Sequence, residues 1–149
     1  MDLNSIRKTE PNSTLGIIRI FLGIMFLGTG LMKYTVPMLW EAWSGQLLAG
    51  NIPLYEFSRY VIPAIEIIIG LLLIIGLYSR PASVFVIGMM KVATYVHIVA
   101  DDPALFPLQP HQPVIPLALF AMGVYVLIKG GGSWSRDIRG NSFSSFWNR

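Results

Sequence analysis

Six side chains able to do chemistry stand in runs otherwise almost wholly apolar: Arg19, Lys33, Glu66, Lys91, Tyr95 and His97. A charge at the centre of a membrane helix costs about 2.5–3.5 kcal/mol on insertion scales, so such groups tend to face a protein interior and a partner. Glu66 lies within the run from Pro63 to Pro81, and Lys91 lies near the middle of the run that follows. Opposite signs at similar depth on adjoining spans predict a Glu66–Lys91 pair. Tyr95 is four residues from Lys91 and shares its helix face, whereas His97 is turned toward Thr94. In an apolar slot such a cluster offers donors to a carbonyl ligand and a group that can exchange a proton. It serves equally as an ion pair that fixes helix register, with Tyr95 and His97 satisfied locally.

The elements that must position these groups are membrane spans. The chain has 149 residues, 54% hydrophobic and 13% charged, against roughly 25% charged in a soluble domain. Four apolar runs are expected, over about 15–36, 53–78, 82–99 and 113–129, the last short for a bilayer core of about 30 Å. They form an all-α, antiparallel, polytopic four-helix bundle. Residues 1–14 read as a tail, 15–129 as the membrane domain and 130–149 as a basic, aromatic tail. Asn12, Ser13 and Thr14 are each able to cap the first helix.

On that helix Gly16, Arg19, Gly23, Phe26, Gly30 and Lys33 recur at steps of three and four, a single stripe. Its glycines read as packing sites for a neighbouring helix. Arg19 and Lys33 either turn inward with the stripe or snorkel to opposite interfaces. Pro63 is expected to kink or loosen the second span one turn before Glu66. Glu56 and Arg59, three apart, read as a local pair of little energetic weight. The segment between the first two spans holds Trp40 and Trp43 with no Lys or Arg. It reads as a short interfacial helix in the first outer loop, or as a lid over a lipid-facing pocket.

Positive charge sets the orientation. Arg7, Lys8, Arg80, Lys129, Arg136 and Arg139 fall on one side, and the loops on the other side lack Lys and Arg, which predicts cytoplasmic termini in a bacterial-type inner membrane. The excess of three positive charges is too small to suggest nucleic acid as a partner. With no cysteine the chain has no disulfide, Cys-ligated cluster or thiol relay. His97 and His111 are the two histidines, and their spacing does not recommend a haem. Asp101, Asp102 and His111 more simply cap or solvate a loop than bind a metal, so no metal site is expected.

Taken in order, these residues resemble the DoxX family of small four-helix membrane proteins, which includes relatives of the small subunit of thiosulfate:quinone oxidoreductase. The likeness runs over about residues 15–137. It rests on Arg19-x3-Gly23 and Gly30-x2-Lys33, on Glu66-x3-Gly70-Leu71-Leu72-Leu73-x2-Gly76-Leu77 leading to Arg80-Pro81-Ala82, and on the closing Gly131-Gly132-Ser133-Trp134-Ser135-Arg136-Asp137. Gly131-Gly132-Ser133 stands where Gly-Pro-Gly is the more usual form. The resemblance implies an accessory subunit of a membrane redox complex, interacting with a quinone or quinol and with a protein partner in the bilayer. It supplies no universal catalytic set. The alternatives are a small proton-coupled carrier, which with four spans and no internal repeat needs further copies of the chain to enclose a pore, and a non-catalytic membrane scaffold.

Overall fold

The computed structural model describes residues 9, 11–100 and 102–138. Arg7, Lys8, Asp101, Arg139 and the remainder of the expected C-terminal tail lie outside them. The described residues form helices α1 (Ser13–Thr35), α2 (Pro37–Ala49), α3 (Tyr55–Ile75), α4 (Ser79–Val99) and α5 (Val114–Lys129), with a 3₁₀ turn at Pro103–Leu105 and no strand. Three helices, α1, α3 and α4, are long and apolar enough to cross a membrane. The 16 residues of α5 span about 24 Å at 1.5 Å per residue.

Capping follows local chemistry. Asn12, of the three candidates, caps α1, its Oδ1 accepting from the Leu15 N–H at 2.9 Å. Proline opens α2 at its first position, where the missing N–H has no partner to lose. Asp102 caps the 3₁₀ turn through Ala104 N–H at 2.9 Å, which is the loop-capping role expected of it.

The helices pack as two main pairs, α1 along α3 and α4 along α5, while α3 and α4 touch much less despite the short turn between them. The α1–α3 contact is set by glycine. A Cβ on Gly70 would stand 2.5 Å from the Leu27 backbone nitrogen, and one on Gly23 would stand 2.8 Å from the Gly70 carbonyl. Only glycine lets the two backbones meet so closely. Leu22, Phe26, Ile69, Leu73, Ala82, Val86 and Leu119 fill the core between the pairs. A smaller cluster of Val96, Ala100 and Phe106 sits at the other end.

That first end of the bundle is closed by polar bonds. The Arg19 side chain is fully buried. Its guanidinium donates to the carbonyls of Leu73, Ile74 (2.9 Å), Gly131 (2.6 Å) and Ser133 (3.3 Å). It thus satisfies the last-turn acceptors of α3 that a helix leaves free, with the charge sign that a C-terminus favours. Asp137 does the converse for α4: its carboxylate accepts from the N–H groups of Tyr78 (3.0 Å) and Ser79 (2.9 Å) and from the Ser79 hydroxyl (2.9 Å). Ser135 Oγ donates to the Gly76 carbonyl at 2.6 Å. Gly76 itself has φ 72°, and a Cβ there would stand 2.8 Å from an Arg19 nitrogen. Residues 131–138, the start of the expected tail, are therefore packed into the helical body.

Candidate functional site

Lys33, not Lys91, answers Glu66. The Lys33 ammonium lies 2.6 and 2.8 Å from the two Glu66 oxygens, and the side chains are 17% and 7% exposed. The expected Glu66–Lys91 pair is not formed because α3 lays its glycine face on α1. Gly30 meets the Pro63 carbonyl and the Glu66 Cβ there, and the Lys33 side chain one turn on falls beside the carboxylate. Lys91 is exposed on α4. Tyr95 shares its face, 49% exposed.

The Lys33–Glu66 pair lines a cavity of about 460 Å³ that also takes in Thr29, Trp43, Gln46, His97 and Gln109, with an otherwise apolar wall from α1, α2, α4 and α5. The six sequence candidates thus divide three and three: Lys33, Glu66 and His97 meet at the cavity, whereas Arg19 belongs to the closed end and Lys91 and Tyr95 to the outside.

The helix α2 covers this cavity. Trp43 carries the Lys33 ammonium over its ring at 4.1 Å, a cation–π contact strengthened where water is excluded. Its indole N–H donates to the Arg59 carbonyl at 3.1 Å. That carbonyl is available because Pro63, four residues on inside α3, has no N–H to return. Proline in α3 and tryptophan in α2 are thereby one feature. Gln46 donates to the Leu105 carbonyl at 2.5 Å and ties the same cover to the loop after α4. The segment for which the sequence offers an interfacial helix or a lid is helix α2, and it borders the cavity. The Glu56–Arg59 pair is absent: the Arg59 guanidinium lies over the Trp40 ring at 4.5 Å instead.

His97 lines the cavity from α4, and one of its ring nitrogens is buried without a partner. Its Nδ1 lies 2.8 Å from the Ala93 carbonyl, not against Thr94, whose hydroxyl returns to Met90. A carbonyl only accepts, which assigns the proton to Nδ1 and leaves Nε2 of the neutral ring as an acceptor. Nε2 is buried without a hydrogen-bond partner. The ring lies tilted against Phe106 at 4.0 Å between centroids, and His111 meets Phe106 edge-on at 5.4 Å. Among the described residues no three His, Cys, Asp or Glu side chains are grouped to hold a metal.

The sequence carried a signal for Lys33 that the pairing by adjacency missed. Gly30 and Lys33 are three apart on one helix, Glu66 and Gly70 four apart on another, so two glycine contacts bring the charges to one level. No periodic signal marked Asp137 as a cap, since its partners lie 58 and 59 residues away.

The chain is similar over 129 residues, at 27% identity, to the uncharacterized membrane protein Rv3486 of Mycobacterium tuberculosis, covering 82% of this chain and 78% of the relative. No solved structure matches it. The DoxX family model matches residues 14–98, the stretch from α1 through α4 that holds the glycine contact, the Lys33–Glu66 pair and His97, while the closing glycine-rich segment lies beyond the match. The chain is a multi-pass membrane protein and belongs to the DoxX family.

Proposed function

We propose that the cavity holds the ring of a quinone or quinol and that the protein serves as the quinone-interacting subunit of a membrane redox complex. The observation that carries this is the lysine–carboxylate pair in the wall of an otherwise apolar cavity that His97 also lines. A quinone needs donors at its carbonyls, a quinol needs acceptors at its hydroxyls, and both need an apolar slot. Lys33 has three N–H donors, and Glu66 occupies it through two close contacts, leaving donor capacity beside the cavity. Glu66 is the acceptor, and His97 Nε2 lies buried behind the wall as a second one that a small turn of the ring would present. A bound quinone supplies a two-electron, two-proton couple. The chain's own residues orient the ring, exclude water through α2 and hold a proton at the Glu66 carboxylate or at His97 Nε2.

The same reading places four antiparallel spans with both termini in the cytoplasm, so the cavity, at the end of α1 distant from Arg80 and Lys129, lies in the outer half of an inner membrane. The test is retention. Protein purified from its native membranes in mild detergent is extracted and assayed for quinone, alongside Glu66→Gln and His97→Phe. Quinone in the parent and its loss in both variants is the expected result. A parent that retains none, and whose Trp43 fluorescence does not respond to added ubiquinone or menaquinone analogues, overturns it.

A further inference from the structure

Lys91 is a mid-span charge that the cavity does not take in. It stands on the exposed face of α4 in line with Val84, Gly88 and Tyr95, and among the described residues it has no hydrogen bond or ion pair. From the helix bounds, its Cα lies about 18 Å from the start of α4 and about 12 Å from its end at 1.5 Å per residue. Side chains leave a helix tilted toward its N-terminus. The lysine stem therefore sets out toward the farther interface, the unfavourable direction for snorkelling.

Among the described residues no carboxylate is free at that depth. Glu66 is taken by Lys33. Glu41 lies in α2, Glu56 in the first turn of α3, Asp102 at the cap of the 3₁₀ turn, and Asp137 at the start of α4. A second copy therefore has no acid to bring against Lys91 from among these. One turn before the lysine, a Cβ on Gly88 would meet nothing within 4 Å, so a neighbouring backbone has room to approach the α4 axis there.

We propose that the Gly88–Lys91–Tyr95 face of α4 docks a membrane helix of a different protein that carries an Asp or Glu in mid-span. This deepens the subunit part of the preceding reading; of the three residues Gly88 also borders the cavity, while Lys91 and Tyr95 do not.

The test uses the full chain in its native membranes with a photo-reactive benzoylphenylalanine at position 88, where the open space admits it. The cross-linked peptide is expected to be a membrane helix from another chain with an Asp or Glu in mid-span. Its yield should persist in a Lys91→Arg background and fall by about tenfold or more in Lys91→Met, as when one partner of a buried charge pair is removed. A cross-link only to lipid, to a second copy, or to a helix without an acid overturns the proposal, as does a yield indifferent to Lys91→Met. Purified Lys91→Met should melt no lower than the parent; a lower melting temperature would give Lys91 a partner inside the chain and also overturn it. Quinone is assayed on matched preparations that keep the native Gly88, because that residue borders the cavity. Its absence alongside the expected cross-link upholds this interface while overturning the cavity reading.

Discussion

Lys33 holds both carboxylate oxygens of Glu66, at 2.6 and 2.8 Å, from a helix 33 residues earlier in the chain. The pair is nearly dry on the acid side and open to the cavity on the lysine side. Removing one member leaves the other charge in a place that does not solvate it, a loss of about 3–5 kcal/mol for a fully buried pair. For Glu66→Ala we expect about 3 kcal/mol, the lower end, because Lys33 keeps access to the cavity. Thermal melting in detergent measures it, and Lys33→Met/Glu66→Leu together should recover most of the loss. Melting of Glu66→Ala at the parent temperature would show that the pair holds nothing together.

Arg19 is the other inward-turned cation, and its work is different. A planar fork reaching carbonyls on α3 and on the closing segment is not reproduced by a lysine's single ammonium. Arg19→Lys is expected to cost about 1–3 kcal/mol, the range for leaving a buried acceptor unpaired, and to open residues 131–138 to limited proteolysis. Cleavage there at the parental rate would refute the role.

How much of this was legible beforehand depends on whether a feature repeats. The stripe from Gly16 to Lys33 has helical spacing, so the packing role of Gly23 and Gly30 could be read from it, while for Arg19 it left the inward turn and the snorkel both open. The partner of Glu66 could not be read from chain adjacency. A tight turn at Ser79 joins α3 to α4, but side-by-side packing is decided by which faces admit close approach, and the glycines of α3 match those of α1. His97 stands at the cavity with Glu66, while its bare Nε2 depends on a backbone bond to Ala93 that no spacing reveals.

Asp137 caps a helix that begins 58 residues earlier. Tyr78, held at φ 52°, is a strained start for α4 that the two accepted N–H bonds help to fix. Asp137→Ala should cost about 1–2 kcal/mol, the upper range for loss of an N-cap, and speed hydrogen exchange at the Tyr78 and Ser79 amides. Asp137→Asn, which keeps an acceptor oxygen, should restore part of the protection. Exchange at those amides unchanged by Asp137→Ala would remove the cap from the account.

The bond between Trp43 and the carbonyl freed by Pro63 predicts a coupling rather than a single effect. Trp43→Phe keeps the ring under Lys33 and deletes the indole donor, at a cost of about 1 kcal/mol. In a Pro63→Ala background the Arg59 carbonyl regains a helical N–H partner, and the same change should cost much less. A double-mutant cycle on melting free energies reads the difference. Additive costs would separate the two residues.

Glycine substitutions distinguish crossing points from surface. At Gly70 an added Cβ meets the Leu27 backbone nitrogen at 2.5 Å, while at Gly28 it meets nothing within 4 Å. Backbone cannot swing aside as a side-chain tip can, so Gly70→Ala must push α1 and α3 apart, at a cost of about 1–3 kcal/mol for overpacking. Gly28→Ala has only the helix propensity to gain and should stabilise by up to about 1 kcal/mol. The displacement also carries to the cavity, because Glu66 lies one turn before Gly70 on the helix that is moved. Gly70→Ala should therefore weaken quinone retention as well as melting, whereas Gly28→Ala should leave retention intact. Equal behaviour of the two variants would mean that the α1–α3 approach sets neither the stability nor the cavity.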